Sequence, residues 1–178
     1  MSKTTPEQNK ALVLEAFDTL FNKRDYDAAA RFWSDKYVQH SAHIEPGREG
    51  LFNLVRGLPD SLRYEHGLIL AEGDYVIVHG RFSGNGRPAA FIAADIVRIE
   101  NGRLAEHWDV LQDEATQAES KSGLPMFGSQ FPRNYRGSVQ LIIWPLRQAD
   151  GASGSSGPAG PPTVLTGLPR TIGRHELS

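Results

Sequence analysis

The sequence YVIVHGRFSGNGRPAAFIAADIVRIENGRLAEHWDVL, residues Tyr75 to Leu111, contains three apolar runs that two turn sequences separate. The runs have the length and the β-branched and aromatic content of strands: Tyr75 to Phe82, Ala89 to Ile99 and Leu104 to Leu111. Both connections contain Asn-Gly, which adopts the positive φ angles of tight hairpin turns. The segment therefore predicts three consecutive antiparallel strands.

Upstream of this segment, the pattern predicts one more strand. Apolar and polar residues alternate from Leu62 to Leu70, and Glu72-Gly73-Asp74 then forms a turn. Before Pro59, apolar residues recur every three or four positions, a spacing that is typical of helices. The sheet is therefore expected to follow a helical region.

Three helices are predicted in that region. Thr5-Pro6-Glu7-Gln8 has the pattern of a capping box, and a helix is expected from there to about Asn22. Asp25 or Asp27 can cap a second helix that continues to Trp33. The third is predicted from Arg48 to Arg56. Helices followed by consecutive hairpins indicate an α+β fold, and a curved antiparallel sheet around a helical layer would leave a ligand pocket between them.

Composition excludes several classes of protein. The 178 residues include 39% hydrophobic residues, and 19 basic against 21 acidic side chains give a net charge of −2. This balance disfavours nucleic acid as a partner. No apolar run is long enough to cross a bilayer, and the N-terminus lacks the pattern of a signal peptide, so we expect no membrane association and a cytoplasmic protein. The chain contains no cysteine, which excludes thiolate chemistry.

The last fifty residues differ in composition from the rest. GASGSSGPAGPP, Gly151 to Pro162, is a low-complexity run that cannot bury a core. We therefore expect one domain over residues 1–128 and a Gly/Pro/Ser-rich, partly disordered extension over residues 129–178. Within the extension, Val139 to Leu146 is apolar enough to dock on the domain or on a second subunit.

Polar residues on the last two strands are the candidates for chemistry. His107 and Asp109 share one face, because side chains alternate along a strand. A three-residue loop at Glu100-Asn101-Gly102 would pair Ile99 with Arg103 and bring Asp95 opposite His107. A two-residue Asn-Gly loop would instead place Asp95 beside Trp108. We favour the longer loop, which gathers Asp95, His107 and Asp109.

On the concave face, these groups would be partly desolvated. Asp109 is then a candidate general base, and His107 or His79 could orient it, shuttle its proton or stabilise an oxyanion. The alternative is that the sheet face carrying them is solvated. His40 could line the pocket, but its spacing from His43 is weak evidence for a metal, and no metal site is predicted. Phe17, Trp33 and Tyr64 either pack in the core or contact the ligand.

Three segments resemble the SnoaL-like group of the nuclear transport factor 2 superfamily. They are DIVRIENGRLAEHWDVLQ (Asp95 to Gln112), DYDAAARFWSDKYVQHSAHIEPGREGL (Asp25 to Leu51) and SGLPMFG (Ser122 to Gly128). The resemblance implies a cone-shaped α+β fold with three helices, a homodimer that packs through the sheet, and no cofactor. It also implies that Asp109 acts as acid and base in an aldol closure. Polyketide cyclases of this group have a histidine where this sequence has Asp95.

Two functions follow from these features. The first is a cofactor-independent lyase, isomerase or cyclase, in which a pocket aspartate is the general acid or base for enolisation or aldol-type chemistry on a small apolar or carbonyl-containing molecule. The second is a non-catalytic module of the same fold that binds a small molecule or a protein. The sequence does not decide between them, because one fold hosts many functions.

Overall fold

The computed structural model describes residues 4–132, and these begin with the predicted long helix. Helix α1 spans Pro6–Phe17 and continues as a π-helical turn over Asp18–Asn22. The Gln8 backbone N–H donates to the Thr5 hydroxyl over 3.2 Å, while the Thr5 N–H donates to the Gln8 side chain over 2.8 Å. These reciprocal bonds confirm the predicted capping box.

The second helix is shorter than predicted. Helix α2 spans only Tyr26–Ala29, capped by the side chain of Asp25, and the chain then enters strand β1, Trp33–Gln39. The local sequence favours a longer helix, but the Phe32 carbonyl accepts a hydrogen bond from the Leu104 N–H over 2.8 Å. Pairing with the sheet therefore overrides helix propensity. Helix α3 spans Gly47–Gly57, within a residue of the prediction at each end.

The four predicted strands are present. They are β2 (Arg63–Glu72), β3 (Tyr75–Ser83), β4 (Phe91–Glu100) and β5 (Arg103–Asp113). Together with β1 they form one sheet in the order β1-β5-β4-β3-β2. The α+β class is confirmed, but the sheet is mixed rather than wholly antiparallel, because β1 runs parallel to β5.

The sheet has two faces of different character. The inner face, which includes Val76, Val78 and Val97, belongs to the same buried core as Val13 and Phe17 of α1. On the outer face several large apolar side chains are exposed: Val38, Leu68, Leu70, Tyr75, Ile77 and Val110. Strand register thus decides whether a side chain meets the core or the outer surface.

Other predictions concern the membrane and the C-terminus. Within residues 4–132, no helix combines the length and the apolar character needed to span a bilayer. The predicted extension lies outside the described residues from position 133 onward, and so does its apolar segment, Val139 to Leu146.

Candidate functional site

The hairpin between β4 and β5 sets the geometry of the site. Asn101 and Gly102 have φ angles of 53° and 72°, and Glu100 pairs with Arg103, so the loop has two residues and not the predicted three. Ile99 pairs with Leu104, whereas the preceding Arg98 pairs with Glu106, which leaves one extra residue in β5.

A two-residue loop alone would turn His107 and Asp109 to the face opposite Asp95. The extra residue at the bulge shifts β5 by one position and returns them to the face of Asp95. Asp95 therefore pairs with Asp109, and Val97 pairs with His107. The predicted pairings of Asp95 with His107 and of Ile99 with Arg103 were wrong. All the same, Asp95, His107 and Asp109 lie on one face, the inner one.

Asp95 and His107 form a buried pair at the centre of this face. Their exposed fractions are 4% and 6%. Asp95 Oδ1 lies 3.0 Å from His107 Nε2, a hydrogen-bond distance. Asp109, the base predicted from the sequence, is only half-buried. Asp95 is therefore the more deeply buried of the two carboxyl groups.

Gln39 of β1 extends this pair. Its Oε1 atom lies 2.9 Å from His107 Nδ1 and also accepts a hydrogen bond from the Ser41 backbone N–H over 2.9 Å. The Gln39 amide group donates to the Tyr37 hydroxyl over 3.5 Å. Sequence reasoning missed Gln39 because it missed β1. The alternation of Tyr37, Val38 and Gln39 was the available signal.

Burial controls the protonation of these groups. Desolvation raises the pKa of Asp95, the hydrogen bond and charge of His107 oppose this shift, and the nearby charge of Asp109 adds to it. Burial, followed by the negative charge of Asp95, raises the pKa of Tyr64. The Tyr64 hydroxyl therefore keeps its proton at neutral pH and is available as a donor.

Buried polar atoms without a partner point to where a ligand would bind. Among the described residues, such side-chain atoms include Asn9 Oδ1, Tyr64 Oη and Asp95 Oδ2. Two of them flank Gly80. A Cβ atom added there would lie 3.4 Å from Tyr64 Oη and 3.5 Å from Asp95 Oδ2, and only 2.8 Å from Tyr64 Cε2. Glycine at this position leaves room for the ring and for both oxygens.

The aromatic residues predicted to bind a ligand mainly form the core. Phe17 packs edge-on against Tyr64, with ring centroids 5.4 Å apart, and stacks with Trp33 at 6.5 Å. All three belong to the buried cluster between the helices and the sheet. They therefore have the core role, one of the two alternatives that the sequence left open, while the hydroxyl of Tyr64 has no hydrogen-bond partner. A ligand contact of Phe17 and Trp33 stays a prediction.

Two predicted site histidines lie on the outer face. The side chain of His79 follows the buried Val78, so strand alternation turns it outward, where its ring lies 5.5 Å from that of Phe127. His40 stacks on Trp108 at 4.8 Å, and its Nε2 lies 2.9 Å from Glu106 Oε1. Neither shares a face with Asp95, which corrects their assignment to the site. Within residues 4–132, no three potential metal ligands of the His, Cys, Asp or Glu type are grouped.

Comparison with known proteins identifies the family. The model of the SnoaL-like domain matches residues 13–107, more than half of the chain. The chain belongs to the SnoaL-like family. This confirms the resemblance seen in the sequence. No curated protein sequence matches the chain.

Solved structures share the fold of this SnoaL-like chain. AclR from Streptomyces galilaeus, a candidate hydroxylase, is 26% identical, with a TM-score of 0.51 over 61% of this chain and 81% of AclR. A candidate ketosteroid isomerase from Kribbella flavida DSM 17836 is 17% identical, with a TM-score of 0.55 over 71% of this chain and 97% of its own. A nuclear transport factor 2-like protein of unknown function from Cytophaga hutchinsonii ATCC 33406 is 18% identical, with a TM-score of 0.52 over 63% and 93%.

Proposed function

We propose that the protein is a cofactor-independent enzyme, a lyase, isomerase or cyclase, that acts on a small carbonyl-containing molecule. A pocket aspartate serves as general acid and base for enolisation or aldol-type chemistry. The observation that carries this proposal is Asp95 Oδ2, a buried carboxyl oxygen that has no protein partner. Buried polar atoms are nearly always hydrogen-bonded, so this oxygen is free to meet a substrate proton or a water molecule.

The geometry supports a division of roles. Asp95 Oδ2 accepts the proton from the carbon next to the carbonyl group, and its raised pKa strengthens it as a base. The Tyr64 hydroxyl, which like Asp95 Oδ2 lies next to Gly80, donates a hydrogen bond to the oxygen on which negative charge develops. Asp109, the base predicted from the sequence, remains the second candidate, because it pairs directly with Asp95.

The similar structures do not select the reaction. AclR is named as a candidate hydroxylase and the Kribbella flavida protein as a candidate ketosteroid isomerase, so proteins of this fold carry different assignments. The function of such a fold depends on the groups at its site. The buried Asp95–His107 pair favours proton transfer.

Hydrogen–deuterium exchange tests enolisation without knowledge of the natural substrate. The purified full-length chain is mixed in D₂O with a panel of ketones and β-dicarbonyl compounds, and loss of the α-proton signals is followed by NMR. We expect Asp95→Asn to reduce exchange about 10²-fold to 10⁴-fold, the usual contribution of a positioned base.

Asp109→Asn identifies the base. A small effect of this variant assigns the role to Asp95, whereas the larger loss in Asp109→Asn would assign it to Asp109. Circular dichroism and thermal unfolding verify that both variants fold. If no compound exchanges above the uncatalysed rate, while the same panel binds and stabilises the protein, the non-catalytic binding module is the correct function.

The outer face supports the expected homodimer. Leu70 pairs with Ile77, Ile77 with Ile96, and Ile96 with Trp108, so an apolar row crosses four strands. Val110, on the same face, is 69% exposed. Contiguous apolar surface of this kind is characteristic of protein interfaces. Sedimentation of the full-length chain should give a dimer mass that Ile77→Asp reduces to that of a monomer. A monomeric native chain at high concentration would refute the interface.

A further inference from the structure

The hydrogen bonds around Gln39 fix the position of a proton on His107. A backbone N–H can only donate, so the Gln39 atom that faces the Ser41 N–H at 2.9 Å must be the amide oxygen. The same oxygen lies 2.9 Å from His107 Nδ1. Since an amide oxygen only accepts, Nδ1 must carry a proton. In the neutral ring, Nε2 is then the acceptor.

We propose that Gln39 is a positioning residue that holds His107 as the Nδ1–H tautomer, so that the Asp95–His107 pair works as a proton relay with Asp95 Oδ2 as its entrance. This inference rests on the proposed function. One proton lies in the hydrogen bond between Asp95 Oδ1 and His107 Nε2, on the carboxyl group or on the ring. In either state Oδ2 carries no proton, and it is therefore an acceptor.

The relay accounts for every proton in the enolisation step. In the neutral pair, Asp95 Oδ1–H donates to His107 Nε2. The substrate's α-proton moves to Oδ2, the electron pair of the broken C–H bond forms the enolate, and the Oδ1 proton moves to Nε2. The products are an enolate and an imidazolium whose two N–H groups donate to Gln39 and Asp95. Reversal of these transfers returns the proton to carbon.

The environment of the ring is consistent with this arrangement. The titratable groups near it are Asp95 on β4, Asp109 on β5, Tyr37 on β1 and Tyr64 on β2. Burial raises the pKa of Tyr37, the hydroxyl of which accepts from the Gln39 amide group. The Ser41 N–H fixes the orientation of the Gln39 amide group, because an exchange of its oxygen and nitrogen would set two N–H donors against each other. The Tyr37 hydroxyl contacts the amide nitrogen on the other side.

Nitrogen NMR of the full-length chain labelled with ¹⁵N-histidine reads the tautomer directly. We expect a proton on His107 Nδ1 in the native protein. Gln39→Leu removes the acceptor, so the ring should turn to the Nε2–H tautomer, which donates to the Asp95 carboxylate. Gln39→Glu keeps an oxygen acceptor and should retain Nδ1–H. His79, on the outer face, is the internal control and should keep its native signals in both variants.

The exchange assay completes the test. We expect Gln39→Leu to lose at least 10-fold in α-proton exchange and Gln39→Glu to recover part of that loss. A native His107 with an unprotonated Nδ1, or a tautomer that is the same in Gln39→Leu, would overturn the proposal. If the tautomer responds as expected but no carbonyl compound exchanges, the positioning role of Gln39 stands and the enzymatic function fails.

Discussion

Two carboxylate–histidine pairs lie on opposite faces of one sheet. Their interatomic distances are similar, but they differ in burial and in the direction in which the pKa of the carboxyl group shifts. Asp95 and His107 are 3.0 Å apart on the inner face, and His40 and Glu106 are 2.9 Å apart on the outer face. Burial raises the pKa of Asp95. Hydrogen bonds from His40 and then Arg98 lower the pKa of Glu106. A carboxyl group and an imidazole thus form a buried acid–base pair on one face and a solvent-exposed hydrogen-bonded pair on the other, depending on which face the strand register selects.

The largest expected difference between the two pairs is in catalysis. His107→Asn breaks the relay and should reduce α-proton exchange by about 10²-fold or more, as expected for loss of a general acid–base group. His40→Asn changes the outer pair and should leave exchange within about 2-fold of the native rate, since His40 shares no face with Asp95. Equal losses in the two folded variants would contradict the assignment of the site to the inner face.

The two faces should also differ in how much their side chains contribute to stability, and two neighbouring residues of β3 allow the comparison. Val78 is fully buried, whereas Ile77, beside it on β3, is 44% exposed. Val78→Ala should lower the free energy of unfolding by about 1.5–3 kcal/mol, the value of one buried side chain of this size. Ile77→Ala should cost less than about 1 kcal/mol when dilute protein is unfolded in urea. A larger cost for Ile77→Ala would show that the outer face is covered in the monomer.

Glycines on the two faces offer a finer comparison. A Cβ at Gly80 would lie 2.8 Å from the Tyr64 ring, whereas one at Gly67 would lie 3.2 Å from Phe127, a partly buried neighbour. Gly80→Ala should therefore displace Tyr64 and cost about 1–3 kcal/mol, as overpacking does. Gly67→Ala should cost less. Urea unfolding measures both, and the exchange rate should fall only in Gly80→Ala. Unchanged exchange in that variant would remove Tyr64 from the site.

Much of the fold could be predicted from the sequence because local signals determine it. The capping box begins α1, and the Asn-Gly turn and the alternating runs give the antiparallel strands. Strand β1 could not be predicted in this way, because its place depends on bonds to β5, such as that from the Leu104 N–H to the Phe32 carbonyl. Local residues 28–32 favour a helix.

The site was only partly predictable for a related reason. Asp95, His107 and Asp109 were placed on one face by way of a three-residue loop, whereas the structure reaches the same result with the two-residue loop and a bulge in β5. His79 was misplaced because Tyr75 to Val78 is apolar on both faces, so the pattern does not tell which side meets the core. Gln39 was missed together with β1.

The smallest effect that we predict concerns stability and pH. Because its pKa is raised on folding, Asp95 binds a proton more tightly in the native state, and stability is lost as pH rises above its unfolded value of about 3.9. Asp95→Asn should then gain stability relative to the native protein as pH rises. The pKa of Glu106 is lowered on folding, so the contribution of Glu106 to stability is lost as pH falls below its unfolded pKa of about 4.3. Glu106→Gln should therefore gain stability relative to the native protein at low pH. Urea unfolding from pH 3 to pH 8, taken as the difference between each variant and the native chain, measures both slopes. If the stability differences of the two variants changed with pH in the same direction, burial would not be the main influence on the pKa of Asp95.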